Sequence, residues 1–430
     1  MTVAGGRLRL LGANTYNGTT TVDSGTTLEI GGSGTLASSA IALAGTLEFA
    51  SSATTSISAL SGAGTLAKSG AGTLSLNSAN ANFSGVVTVS QGILSLGNAA
   101  ALGTASSITV SGGSINLNGN TIATAITLAG GSLTGAANYA GPVTLGAGTS
   151  VTLSGADDLG SGDVTLSGGS LNLGGLALGR NITLAGGTLS NAANFTGAVT
   201  VTGNSTVGGT IGGTFGSGLS GTSHTTTLSG GAATFTGTLK GVGTLAGDVT
   251  VSGAHTPGNS PGVQTIDGDL TYTGTPSVTW ELATASNALG AAGTAYDQIV
   301  VTGDLNISVA TSLTLVFDGA GSDVDWTDAF WDSAHSWLVY DVAGATTSFG
   351  NLTITGATLT DDGKMANNTA TDSNATALNS VRSEAGFILY QNGDDIRLYY
   401  RPVPEPSTYG LILGALALAG AAIRRRRKKD

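Results

Sequence analysis

"NFSGVVTV" at 82–89, "NYAGPVTL" at 138–145 and "NFTGAVTV" at 194–201 are one pattern written three times at equal spacing. Each places Asn, an aromatic ring and, two residues after the ring, a glycine ahead of a segment with apolar side chains at every second position. That is the period of a half-buried β-strand. "ITLAGGSLTGAAN" from Ile126 and "ITLAGGTLSNAAN" from Ile182 keep the same interval, so the register marks an internal repeat. Strand starts at Ile108, Ile126 and Val143 lie about 18 residues apart, giving about three coils per unit. Short strands joined by glycine-rich corners in coils of that length predict one rung each of a parallel β-helix.

Composition agrees. Of 430 residues 70 are Gly, seven are Pro and 10% are charged, yet 40% are hydrophobic and alternate along the chain, which argues against a disordered linker. Gly-Gly, Ser-Gly and Asn-Gly pairs supply the positive φ that corners need. Helical periodicity is almost absent before residue 400. With no Cys, neither a disulfide framework nor a thiolate metal site is available. The net charge of −11, with its one basic run at the C-terminus, excludes a nucleic-acid partner. The fold expected is all-β: a right-handed parallel β-helix over 1–255, a β-rich cap over 256–401 and a single C-terminal transmembrane helix within 402–430.

The segment 1–255 resembles the autotransporter-associated β-strand repeat through Leu8, Leu10, Gly12, Asn14, Tyr16, Gly18, Val22, Gly25, Leu28 and Ile30. A second copy runs through Leu74, Asn80, Phe83, Gly85, Val89 and Leu96. The resemblance implies a stiff extracellular rod. Asn14, Asn80, Asn138 and Asn194 are expected as left-handed corner residues with local side-chain bonds. Tyr16, Phe83, Tyr139 and Phe195 are expected to pack corners, since rings three rungs apart, about 14 Å, cannot stack on one another.

"PGNSPG" (257–262) resembles the element that closes such repeat regions, followed by a Tyr-Asp-x-Ile-x-Val-x-Gly strand at Tyr296, Asp297, Ile299, Val301 and Gly303. All four tryptophans come later than residue 257, as an end-sealing segment requires. Asn392-Gly393 between alternating runs predicts a hairpin, and 360–385 reads as a long polar surface excursion.

Chemistry is sparse. Glycoside cleavage needs two carboxylates about 5–10 Å apart, and the one early cluster, Asp157, Asp158 and Asp163, reads as a solvated turn. "DVDWTD" (323–328) has Asp at the sixth position and Ala334 at the twelfth, against the Gly and Glu of a calcium loop. No catalytic residue, metal site or cofactor is expected. The alternative is a polysaccharide-active lyase or glycosidase on a β-helix scaffold, which Asp157, Asp158 and a basic residue gathered in one groove would favour.

The tail, 403–430, divides into three parts. Pro404, Glu405 and Pro406 are held extended by their prolines. Tyr409 to Ile423 is a charge-free run of 15 residues, about 22 Å as a helix. Arg424, Arg425, Arg426, Arg427, Lys428 and Lys429 close it with six positive charges, which by the positive-inside rule stay in the cytoplasm. This tail resembles the PEP-CTERM sorting signal. The resemblance implies recognition by an exosortase-type processing enzyme in a Gram-negative bacterium, cleavage near Pro404 to Pro406, and transient inner-membrane residence through 407–423. Delivery to the cell surface or extracellular matrix would follow, with exopolysaccharide or biofilm as partner. The expected function is a non-enzymatic structural or adhesive one. An exported protein should open with a secretory signal, whereas Met1 to Gly12 enters the repeat at once; either Met1 is internal to a longer gene product or the chain is a fragment.

Overall fold

The computed structural model describes residues 1–37, 40–217, 224–258, 261–283, 291–319, 321–359 and 365–402. The fold is all-β, a parallel β-solenoid with almost no helix. Two compact units divide it: 1–239 with 243–248, and 240–242 with 249–430.

In the first unit, alternation becomes a ladder. Leu28, Leu47, Leu66, Val87, Ile108, Ile126, Val143, Val164, Ile182, Val199 and Phe215 stand beside one another, one per turn, on successive parallel strands. All are 0–1% exposed. One turn consumes roughly 20 residues along this column, and strand pairing supplies backbone bonds that no single thin coil could make internally. Residues between the inward positions face out, and Thr88, Thr109, Thr127, Thr144, Thr165, Thr183 and Thr200 form a column of their own, each half-buried. A second sheet repeats the logic with Leu74, Leu94, Ile115 and Leu133.

The earliest outward positions carry charge instead. Arg7 bridges Glu29 and Glu48, each at 2.7 Å, and Arg9 meets Glu29 at 2.8 Å. The pairs run between turns, so they brace neighbouring strands rather than one strand.

In the second unit the parallel winding continues with longer excursions. Val278 stands beside Leu313 and Leu313 beside Ile354, so a turn here takes up about twice as much chain as in the first unit. The cap expected over 256–401 is therefore largely further solenoid. Towards its end the unit turns antiparallel: Asp395–Arg401 pairs with His335–Val342 on one side and Gly386–Asn392 on the other. The hairpin turns at Asn392–Asp395 as Asn-Gly predicts, with Gly393 at φ +64°. Trp280, Trp326, Trp331, Trp337, Phe387 and Tyr400 are buried together here, with Phe317 stacked on Phe387 at 4.7 Å between ring centres.

The polar excursion over 360–385 is a packed element in its described part. Asp372 accepts the Trp326 amide at 3.0 Å, Leu378 is fully buried, and Arg382 donates to Trp326 O at 2.6 Å and Asp328 O at 3.0 Å. Its polar side chains satisfy backbone groups around the tryptophans, which a polarity reading takes for solvent exposure. Among the described residues no helix is long and apolar enough to cross a membrane; the run Tyr409 to Ile423, expected as the transmembrane helix, lies outside them.

Candidate functional site

The repeated corner is built from its aromatic ring. Phe83, Tyr139 and Phe195 are 0–1% exposed, and the Tyr139 hydroxyl donates toward Thr124 O at 2.9 Å and Pro142 O at 3.0 Å. The glycine two residues after each ring lies against it. A Cβ on Gly85, Gly141 or Gly197 would sit 2.9, 2.7 or 2.8 Å from the ring, closer than real Cβ atoms approach anything. These three rings pack their corners as expected, whereas Tyr16 is half-exposed, its hydroxyl 3.4 Å from that of Thr20.

The asparagines do a different job from the one expected. Asn14, Asn80, Asn138 and Asn194 are not among the left-handed residues; Asn118 and Asn191 are, at φ +49° and +53°. Asn138 and Asn194 instead donate to Gly119 O and Gly175 O, each at 2.7 Å and each one turn back. Asn80 reaches both ways, accepting from Leu60 N at 2.8 Å and donating to Ala101 O at 2.7 Å. Asn14 alone keeps a bond within its own corner, to Gly12 O, besides one to Thr35 O. These amides clip successive turns together, and Asn80, Asn138 and Asn194 do so outside the strands.

The two motifs of the second unit meet. Asp297 accepts from Gly262 N at 2.7 Å and from Glu281 N at 3.1 Å, while Trp280 Nε1 donates to its backbone oxygen at 2.5 Å. A Cβ on Gly258, at φ +88°, would run into the Asp297 carboxylate. Burial raises the Asp297 pKa to about 7, partly offset by the two amides and reinforced by the Glu281 charge. Asn259 and Ser260 of the same element lie outside the described residues.

Lys68 and His255 are also buried, and sequence reading assigned neither a role. Lys68 is 2% exposed and points inward between Phe49 and Val89, its Nζ donating to Gly70 O and to Gln91 O; burial lowers its pKa. His255 is fully buried, bonded through Nδ1 to the Tyr272 hydroxyl at 2.7 Å and through Nε2 to Gln264 Oε1 at 2.6 Å. Tyr272 continues to the Tyr340 hydroxyl at 3.0 Å, and burial pushes the His255 pKa down to about 4.

Asp157 and Asp158 lie in a turn, and Asp163 stands just before the strand Val164–Ser167. Asp158 Oδ2 accepts from Ser154 N at 2.6 Å and Gly155 N at 3.0 Å, which lowers its pKa. Arg180 feels the charges of Asp157 and Asp163, but its Nη2 is committed to Ala156 O at 2.6 Å. Among the described residues no group of three or more His, Asp or Glu is placed to hold a metal ion. Asp325 turns its carboxylate onto Thr327, and Asp328 caps the short 3₁₀ turn Ala329–Asp332.

Pro404, Glu405 and Pro406 and the basic cluster Arg424 to Lys429 lie outside the described residues, so the tail is judged by its sequence: Pro-Glu-Pro, an apolar run, then six cations. A family model covers that order over residues 402–427. The chain carries a PEP-CTERM protein-sorting motif. Residues 5–30 and 66–96 match the passenger-associated-transport repeat, the pattern seen around Asn14 and Asn80. No curated protein matches the chain. A PEP-CTERM motif implies an exported surface protein of a Gram-negative bacterium, processed by an exosortase.

Proposed function

We propose that this PEP-CTERM protein is a non-enzymatic structural or adhesive component of the cell surface or extracellular matrix, associated with exopolysaccharide. Its apolar run 407–423 holds the precursor in the inner membrane with Arg424 to Lys429 on the cytoplasmic side, until cleavage near Pro404 to Pro406 frees the solenoid. The observation that carries the reading is a repeat whose side chains serve turn-to-turn cohesion, joined to a sorting tail. The polysaccharide-active alternative draws no support from the Asp157 turn, where Asp158 and Arg180 are spent on backbone groups.

The test is fractionation of cells exporting the chain behind a secretory signal peptide, with and without residues 403–430, in an exosortase-positive host. The intact chain should pass through a membrane-bound precursor to a shorter surface form, and the truncated one should appear directly as soluble exported protein. Identical distribution and identical size history would refute the sorting role. Retention at the surface in a host lacking exopolysaccharide would refute the polymer association alone.

A further inference from the structure

A cavity of about 640 Å3 opens in the second unit, within the ~300–1,000 Å3 range of ligand pockets. Leu352 and Ile354 of one strand, Ile388, Leu389 and Tyr390 of another, and Phe349 line it. One wall is a strand edge. Among the described residues, Leu352–Ile354 pairs with Thr311–Val316 on one flank only. Gly386–Asn392 pairs with Asp395–Arg401, and its opposite flank runs beside Met365–Ala366 and Leu352–Ile354 and is bridged to Asn367 through Phe387. A groove with apolar walls and a strand edge on one side suits an extended apolar peptide, which gains main-chain bonds from that edge and burial against the apolar side chains.

The chain supplies such a peptide within reach. Arg401 lines the same groove, and the tail 403–430 follows, with its charge-free run Tyr409 to Ile423. The chain from Pro402 to Leu413 reaches up to about 36 Å in extended form, ample for a return into the groove. We propose that the groove seats the chain's own apolar run, Tyr409 to Ile423, before that run enters a membrane. Docking shields a segment that would otherwise drive aggregation in water, and removal of the tail vacates the groove. It requires neither exosortase nor membrane, so it stands or falls separately from the sorting role.

The chain has no cysteine, so paired substitutions report proximity cleanly. In the full-length protein at high dilution, Thr353→Cys with Leu413→Cys should form an intramolecular disulfide under mild oxidation. The rate should exceed tenfold that of a reference pair, Thr144→Cys with Leu413→Cys. Thr353 is exposed, so folding is undisturbed and is checked by circular dichroism. A second pair, Leu389→Cys with Leu413→Cys, reads the opposite wall. Failure of both pairs to exceed the reference in folded protein overturns the proposal. Predominant disulfide dimers also overturn it, assigning the groove to a second copy.

Discussion

The carboxylate of Asp297 accepts the backbone N–H of Gly262 at 2.7 Å, joining two motifs 35 residues apart in the chain. Its pKa in the fold is about 7 against an ordinary 3.8, so its contribution to stability is complete below pH 3.8 and is lost as pH rises through 7. The slope approaches ~1.4 kcal/mol per pH unit within that window. Asp297→Asn should abolish this slope, at a stability cost below pH 5 because its NH2 group must face one of the two amides. Denaturant unfolding of both proteins at pH 4, 5.5 and 7 checks it; parallel pH profiles would contradict the assignment.

His255 has the opposite sign. Its pKa falls to about 4 in the fold, so its contribution is full above pH 6.5 and is lost as pH drops toward 4. Between pH 4 and 6.5 it opposes Asp297, and the second unit should show a nearly flat profile there. His255→Gln should uncover the Asp297 slope, making that unit more stable at pH 4.5 than at 6.5 relative to its parent. Near-ultraviolet circular dichroism, which follows the buried tryptophans, reports this unit.

Gly197→Ala and Gly85→Ala should each cost at least about 2 kcal/mol, because the added methyl meets both the ring and a carbonyl of the preceding turn. Gly18, at the matching place in the first repeat, has nothing within 4 Å of its Cβ position. Gly18→Ala should stay within about 0.5 kcal/mol of the parent. Equal effects at the three sites, measured by urea titration, would refute the ring-contact explanation of the motif.

Lys68 has no carboxylate among its bonds, and burial lowers its pKa. Its contribution therefore improves as pH rises toward the ordinary value of 10.5 and the unfolded chain loses the proton too. The stability difference between the parent and Lys68→Met should move in favour of the parent from pH 7 to pH 10. A constant difference would show that the buried ammonium keeps its ordinary affinity for the proton.

The strands and corners were legible because burial in a thin coil is decided locally: an apolar residue at every second place can point only inward. Lys68 shows the limit. The sequence Thr65-Leu66-Ala67-Lys68 puts it at an inward position, but its charge argues for the outside, and only Gly70 O and Gln91 O, one of them a turn away, resolve the conflict. The turn-to-turn bonds of Asn138 and Asn194, the bracing of Glu29 by Arg7, and the Asp297–Gly262 bond all link residues a full turn or more apart. Periodicity carries no information about such pairs. The sorting tail was legible for the opposite reason: three contiguous segments define it, and no tertiary contact is needed.

The column of matched positions from Leu28 to Phe215 has a genetic consequence. Because every strand offers its neighbour the same inward residue class at the same place, duplication or loss of a whole three-coil cassette would leave each remaining strand with an equivalent partner. Whole cassettes can thereby be gained or lost at less cost to the fold than a point change at a ring-bearing corner.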